Sequence, residues 1–220
     1  ALLLCLYNKV QRSSQAVRAG HWTQAVEESH QSLSPIALAG KRLGVLGYGS
    51  TGQRMAALGL ALGMEVLLCS RTQKAAPAGC RWVDVETLFR ESDVVSLHVP
   101  ATPETRHMIG RQAFQQMKPT AILVNTARGS VVREADLVEA LDARQIAGAC
   151  LDVYEEEPLS QASRLRDFPN VILTPHTAGY PDGVKLHERR CAFFAGNLQR
   201  AWRGELPENL LNPDAWTGWR

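Results

Sequence analysis

The chain has 220 residues, 45% of them hydrophobic and 21% charged, with a formal net charge of +2. That is globular composition, long enough for one large core or for a domain plus a piece of another. Lys and Arg are dispersed rather than gathered into an arm, which gives no reason to expect a nucleic-acid partner.

The opening run Ala1-Leu2-Leu3-Leu4-Cys5-Leu6 has no basic segment before it and is too short to span a bilayer, so neither a secretory signal nor a membrane anchor is read there. Apolar residues continue at Val10, Ala16 and Val17, with Lys9, Arg12 and Arg18 between them, which predicts one amphipathic helix ending near Gly20. A chain that starts inside a helix, without an initiator methionine, is expected to be a truncation or a processed fragment. Residues 21–40 keep no sustained period and read as a connector. Apolar strands are then expected at 43–47, 65–69, 94–97, 121–125, 147–151 and 171–173, with helices at 51–62, 85–91, 111–117 and 134–144 between most of them. This alternation predicts an α/β fold with a doubly wound parallel sheet. Residues 184–203 read as a further helix with an apolar face. The expected organisation is a linking helix and connector over 1–37, a dinucleotide-binding domain over 38–180 and a C-terminal helix over 181–220. The cysteines (Cys5, Cys69, Cys80, Cys150, Cys191) share no C-x-x-C spacing, which points to a reducing compartment and a cytoplasmic protein.

The first stretch that carries chemistry is Gly47-Tyr48-Gly49-Ser50-Thr51-Gly52, with glycines spaced G-x-G-x-x-G. In a dinucleotide site Gly47 permits the tight turn, Gly49 lets the backbone approach a pyrophosphate and Gly52 lets the helix pack on the strand. The free N–H groups at Ser50 and Thr51 would face the phosphates. An ordinary strand-turn-helix shares this spacing; the strand before, the helix after and the second strand at 65–69 favour the dinucleotide. Where NAD-binding folds usually place an acid for the ribose hydroxyls, this chain has Ser70-Arg71-Thr72. Two hydroxyls and a guanidinium suit a 2′-phosphate, so NADP is expected over NAD, with a solvated loop arginine as the alternative.

Later strands end in polar residues at the edge where open α/β sheets bind ligands. His98 closes one of them, as a cofactor contact or as a structural histidine. Arg128 follows another, and its planar fork suits a carboxylate or a carbonyl oxygen. Asp152, Glu155, Glu156 and Glu157 put four carboxylates into six residues, ordinarily a solvated acidic loop. His176 follows the last strand and suits proton transfer near neutral pH. On spacing alone, Arg128, a glutamate and His176 form a candidate constellation.

These residues resemble the D-isomer-specific 2-hydroxyacid dehydrogenases, a family that includes glyoxylate/hydroxypyruvate reductases and phosphoglycerate dehydrogenases. The resemblance runs from Gly47-Tyr48-Gly49-Ser50-Thr51-Gly52 through Ser96-Leu97-His98-Val99-Pro100, Val124-Asn125-Thr126-Ala127-Arg128-Gly129 and Leu151-Asp152-Val153-Tyr154-Glu155-Glu156-Glu157-Pro158 to Thr174-Pro175-His176. It implies a Rossmann cofactor domain and NADPH-dependent reduction of a small 2-oxo acid to the D-2-hydroxy acid. Arg128 would bind the substrate and His176 would donate the proton, partnered by Glu157, the acid before Pro158. Asp152 would contact the nicotinamide side and Ser50 and Thr51 the pyrophosphate. The full set of expected cofactor contacts is Gly47, Gly49, Ser50, Thr51, Gly52, Ser70, Arg71, Thr72, His98, Val99, Pro100, Thr105, Thr126, Ala127, Asp152, His176 and Ala178; no metal is expected. The resemblance also implies a homodimer, paired through the helix at 1–19 and an exposed apolar segment after His98. Two departures stand out. Ser70-Arg71 replaces the acidic pattern of NAD-dependent members, and the substrate domain that precedes the cofactor domain in the family is largely absent from residues 1–220. The fold also resembles NAD-binding corepressors, a non-catalytic alternative against which the retention of Arg128, Glu157 and His176 argues.

Overall fold

The computed structural model describes residues 1–22, 37–73, 75–179 and 184–217, without the side chains of 184–186; most of the expected connector lies outside them. Strands form where short, mostly apolar runs can be buried on both faces: β1 (Arg42–Leu46), β2 (Glu65–Cys69), β4 (Val94–Leu97), β5 (Ile122–Asn125) and β6 (Gly148–Leu151), with the three-residue edge strands β3 (Cys80–Trp82) and β7 (Val171–Leu173). They pair in the order β3-β2-β1-β4-β5-β6-β7, every pair parallel. Side chains alternate between two cores. Leu43, Val45, Val94, Ile122, Val124 and Cys150 enter one, while Leu46, Val95, Leu97, Leu123, Ala149 and Leu151 enter the other.

Each core is closed by helices, as a parallel sheet requires. On the first face lie α1 (Leu2–Tyr7), through Leu3 and Tyr7, and α3 (Ser50–Ala61), through Ala56. On the second lie α4 (Val85–Glu91), α5 (Arg111–Gln116) and α6 (Glu134–Asp142), through Leu88, Phe114 and Leu137. Burial of a side chain such as Phe114, fully inaccessible here, stabilises by roughly 1.5–3 kcal/mol. The chain forms two compact units, Ala1–His176 and Thr177–Arg220. The second holds α7 (Val184–Trp202), followed by a turn in which Arg200 Nε donates to the Leu206 carbonyl at 2.8 Å. No helix among the described residues is long and apolar enough to cross a membrane.

Three expectations are corrected. The opening segment is two helices, because Lys9 is left-handed (φ 51°) between α1 and α2 (Val10–Arg18). Asn8 Nδ2 donates to the Leu4 carbonyl at 3.0 Å, which satisfies the end of α1. α1 buries Leu3 and Tyr7, and α2 buries nothing. Second, β3 forms although its three residues are too few to show a period; it pairs with β2 after the turn at Gly79. Third, the apolar residues after His98 do not make a surface: Ile109 is 0% exposed and Val99 and Met108 pack against the core.

The sheet reverses its winding between β1 and β4, and the crevice at such a switch point opens beyond their carboxyl ends. Gly47 stands at that opening. Its φ is +97°, its N–H donates to the Cys69 carbonyl at 2.8 Å, and an added Cβ would fall 2.5 Å from the His98 carbonyl oxygen. Gly52 closes the turn, with no room for a Cβ against the Gly47 carbonyl at 2.1 Å. Gly47→Ala should therefore destabilise the protein by roughly 1–3 kcal/mol, read as a shift in the denaturation midpoint at constant slope. An unchanged midpoint would show that the turn relaxes freely.

Candidate active site

The turn from β1 into α3 is shaped for an anion. Gly49 is the helix N-cap, no side chain caps the first-turn N–H groups, and that turn holds no acid. A Cβ on Gly49 would meet nothing within 4 Å, and Ser50 and Thr51 are exposed, so the cradle has the room and polarity that a pyrophosphate needs. Behind it Tyr48, 7% exposed, meets Trp82 of β3 edge-on at 5.4 Å. The unforeseen edge strand thus supports the glycine turn.

The residues expected to choose the cofactor follow β2. Ser70 is half-buried and Arg71 and Thr72 are exposed. A cavity of about 500 Å³ beside them is lined by Ser70, Gln73, Arg81, Trp82 and Thr87, among others. In the loop after β4, hydrogen bonds from Thr102 and from its own backbone, with a smaller contribution from the Arg71 charge, hold the Glu104 carboxyl below its usual range.

In that loop Thr105 Oγ1 donates to the Pro100 carbonyl at 2.6 Å and accepts the Thr102 N–H at 2.8 Å, so Thr105 shapes the chain that carries Val99 and Pro100. His98 sits at the strand end with Nε2 2.9 Å from Ser96 Oγ. Burial pushes its imidazole down to about 4, so it is neutral at physiological pH.

After β5 the buried Asn125 holds the next turn from inside. Its Oδ1 accepts the Ala127 N–H at 3.1 Å and its Nδ2 donates to the Arg128 carbonyl at 3.0 Å. Thr126 and Ala127 are half-buried, and Arg128 is exposed, its Nη1 donating to the Ala127 carbonyl at 2.6 Å. Arg128 makes no hydrogen bond or ion pair to Glu157 or His176.

The loops after β6 and β7 are brought together. Asp152, 1% exposed, accepts from Thr174 Oγ1 at 2.5 Å and so ties the two strand ends to one another. Tyr154 donates its hydroxyl to the Leu151 and Thr174 carbonyls at 3.2 and 2.9 Å. His176 Nδ1 lies 2.7 Å from Glu157 Oε2, and Glu157 Oε1 accepts the Tyr154 N–H at 3.0 Å. Partial burial pushes the Glu157 carboxyl up, but the hydrogen bonds from His176 and Tyr154 outweigh it and leave the carboxyl below its ordinary value. His176 itself is left-handed (φ 54°), a conformation rare for a non-glycine residue and frequent at functional sites. A cavity of about 590 Å³ beside the pair is lined by Tyr154, Glu157, Leu159, Arg166, Leu173 and His176, among others. Ala178 falls in the second compact unit.

The acidic loop is only in part the solvated run that its composition suggests. Glu155, Glu156 and Glu157 are all exposed residues and Asp152 is buried, but Glu157 holds His176, and Glu155 accepts the Glu134 N–H at 2.8 Å and contacts His107. Asn125, Tyr154 and Glu155 were not singled out from the sequence. Asn125 had a local signal, an asparagine at a strand end before a turn; the partners of the other two lie in distant segments.

The model of the D-isomer specific 2-hydroxyacid dehydrogenase NAD-binding domain matches residues 1–178. A glyoxylate reductase of Thermococcus litoralis is 42% identical over 99% of this chain, and one of Aeropyrum pernix is 41% identical over 96%. The chain spans 66% and 64% of their lengths, just under two thirds. Among solved structures, a glyoxylate reductase from Paecilomyes thermophila superposes with a TM-score of 0.79 at 32% identity, covering 93% of this chain and 61% of that one. A D-isomer specific 2-hydroxyacid dehydrogenase from Xanthobacter autotrophicus Py2, in complex with NADPH and MES, does so with 0.79 at 31%, covering 96% and 84%.

His98 gives this edge a pH dependence whose sign is fixed. Its folded value, about 4, lies below the ordinary 6.5, so between these the unfolded chain binds the proton and the folded chain does not. Stability therefore falls as pH falls through that window, by on the order of 2 kcal/mol after allowance for partial exposure. In urea titrations at pH 7 and pH 4.5, His98→Gln should lose less stability on acidification than the wild type. Parallel losses would show that His98 titrates normally.

Proposed function

This chain belongs to the D-isomer specific 2-hydroxyacid dehydrogenase family, and from that premise we propose that it carries the cofactor site and the proton donor of an NADPH-dependent reductase. The substrate is a small 2-oxo acid of the glyoxylate or hydroxypyruvate type, and the product is the D-2-hydroxy acid. The observation that carries this reading is the His176–Glu157 contact of 2.7 Å at the sheet edge that also holds the glycine turn.

NADPH supplies the hydride when bound, and the Gly47–Gly52 turn with Ser50 and Thr51 holds its pyrophosphate. The carboxylate of Glu157 engages Nδ1 of His176, which orients the ring and leaves Nε2 to give a proton to the substrate carbonyl oxygen. Arg128 grips the substrate; its exposed side chain need only give up its bond to the neighbouring Ala127 carbonyl. His98, Val99, Pro100, Thr105, Thr126, Ala127 and Asp152 complete the proposed cofactor contacts within the first unit, and Thr105 and Asp152 also hold the loops around them.

The preference for NADP is supported by Arg71, exposed beside Ser70, and by the Xanthobacter relative that binds NADPH. Residues 38–180 form the proposed cofactor domain. A homodimer is proposed with the same reading, supported by Val10 and Val17, 51% and 45% exposed on α2. A cytoplasmic location is supported by the free cysteines at Cys5, Cys69, Cys80, Cys150 and Cys191.

The test is oxidation of NADPH by the full-length protein with glyoxylate or hydroxypyruvate. Turnover is expected; its absence across a panel of small 2-oxo acids, despite tight NADPH binding, would favour a non-catalytic sensor. Arg71→Ala should weaken NADPH binding by about 1.5–3 kcal/mol, the range for a charge-assisted contact, and leave NADH nearly unchanged. Equal losses for both cofactors would show that Arg71 does not read the 2′-phosphate.

A further inference from the structure

Glu155 takes no part in the cofactor turn or in the His176–Glu157 pair, yet both of its carboxylate oxygens are engaged. Oε1 meets Nε2 of His107, and Oε2 accepts the N–H of Glu134, the first residue of α6, at 2.8 Å. Only 28% of the side chain is exposed. An anion suits this place, because the start of α6 has no side-chain cap of its own and its free N–H groups carry partial positive charge.

His107 belongs to the loop after β4, and its own N–H donates to the Ser130 carbonyl at 2.8 Å. Two residues on, Ile109 bridges in parallel to Val132. Glu155 thus joins three segments: the loop that carries Pro100 and Thr105, the turn from Arg128 into α6, and the acidic loop itself. The last two are also in direct backbone contact. Gly129 lies so close to the Tyr154–Glu155 peptide that a Cβ there would fall 1.7 Å from the Tyr154 carbonyl oxygen. In the adjoining Val153–Tyr154 peptide, the Tyr154 N–H donates to Glu157 Oε1 at 3.0 Å.

We propose that Glu155 is a positioning residue, with His107 as its partner, and that it aligns the Arg128 turn with the Glu157–His176 pair. It touches neither substrate nor cofactor. It acts through the two peptides that flank Tyr154, one against Gly129 and the other bound to Glu157, so that movement there shifts the Arg128 turn and Glu157 together. The proposal rests on the reductase reading for its consequence in turnover, but its structural content does not.

The test uses the full-length protein with Glu155→Ala, Glu155→Gln and His107→Asn, and with Glu156→Ala as control. His107→Asn removes the contact while keeping a residue that tolerates the left-handed backbone at φ 54°, so it decides the matter if Glu155→Ala does not fold. Amide hydrogen exchange should become faster both at 127–131 and at 153–158 in Glu155→Ala and His107→Asn, and in neither segment of the control. With glyoxylate, the same two variants should show a raised KM and a lowered kcat, roughly 10- to 100-fold in kcat/KM, the penalty for small misplacement of reacting groups. NADPH affinity should fall much less than kcat/KM, because only some of the proposed cofactor contacts lie in the loops that Glu155 joins. Glu155→Gln, whose amide oxygen still accepts the Glu134 N–H, should recover most of both. Exchange unchanged in either segment, or NADPH affinity that falls as far as turnover, would overturn the proposal. If the wild type reduces no 2-oxo acid, the reductase reading fails, and the exchange comparison still decides whether Glu155 links the two segments.

Discussion

The carboxyl edge of the sheet depends on one backbone fit, the passage of Gly47 between the ends of β2 and β4. The Gly47 N–H binds the Cys69 carbonyl at 2.8 Å, and the His98 N–H binds the Leu46 carbonyl at 2.7 Å. A side chain at position 47 would strike the His98 carbonyl group. Because the strands hold register through this point, the start of α3, the residues after β2 and the loop after β4 converge on one crevice. Tyr48 and Trp82 brace the turn from the edge strand.

Beyond that point the edge is built from loops, and polar side chains, some buried and some partly exposed, hold them where no ladder can. Asn125 holds the Arg128 turn, Asp152 and Tyr154 bind the strand end that carries His176, and Glu155 binds three segments at once. Such bonds are worth about 0.5–1.5 kcal/mol each when made and cost more when one partner is removed. They hold His176 in a left-handed backbone that costs roughly 1–3 kcal/mol and would otherwise relax. The result is a histidine with Nδ1 committed to a carboxylate and a half-exposed side chain at the carboxyl edge of the sheet, an arrangement compatible with the proposed proton donation.

Most of the fold was legible because β1, β2, β4, β5 and β6 are short, mostly apolar runs, most of them separated by helical periods, which is how a buried parallel sheet reads. What was not legible depends on partners far along the chain. The break at Lys9 follows from α1 being buried and α2 not, which periodicity alone does not distinguish. The strand at Cys80–Trp82 has three residues and exists by pairing with β2. At the site, three consecutive glutamates look alike in sequence, and only the fold separates Glu157 on His176, Glu155 on His107 and α6, and Glu156 in solvent. The family resemblance singled out Glu157; no local signal singled out Glu155, whose partners lie 48 and 21 residues away.

The central claim is that His176 and Glu157 work as one unit on a 2-oxo acid. It is tested most directly by steady-state NADPH oxidation in the full-length protein, comparing the wild type with Glu157→Gln and Glu156→Gln. A working unit predicts that Glu157→Gln loses roughly a hundredfold or more in kcat, the scale of a positioned proton donor, with NADPH binding little changed and Glu156→Gln indistinguishable from the wild type. Equal rates in all three proteins would contradict it.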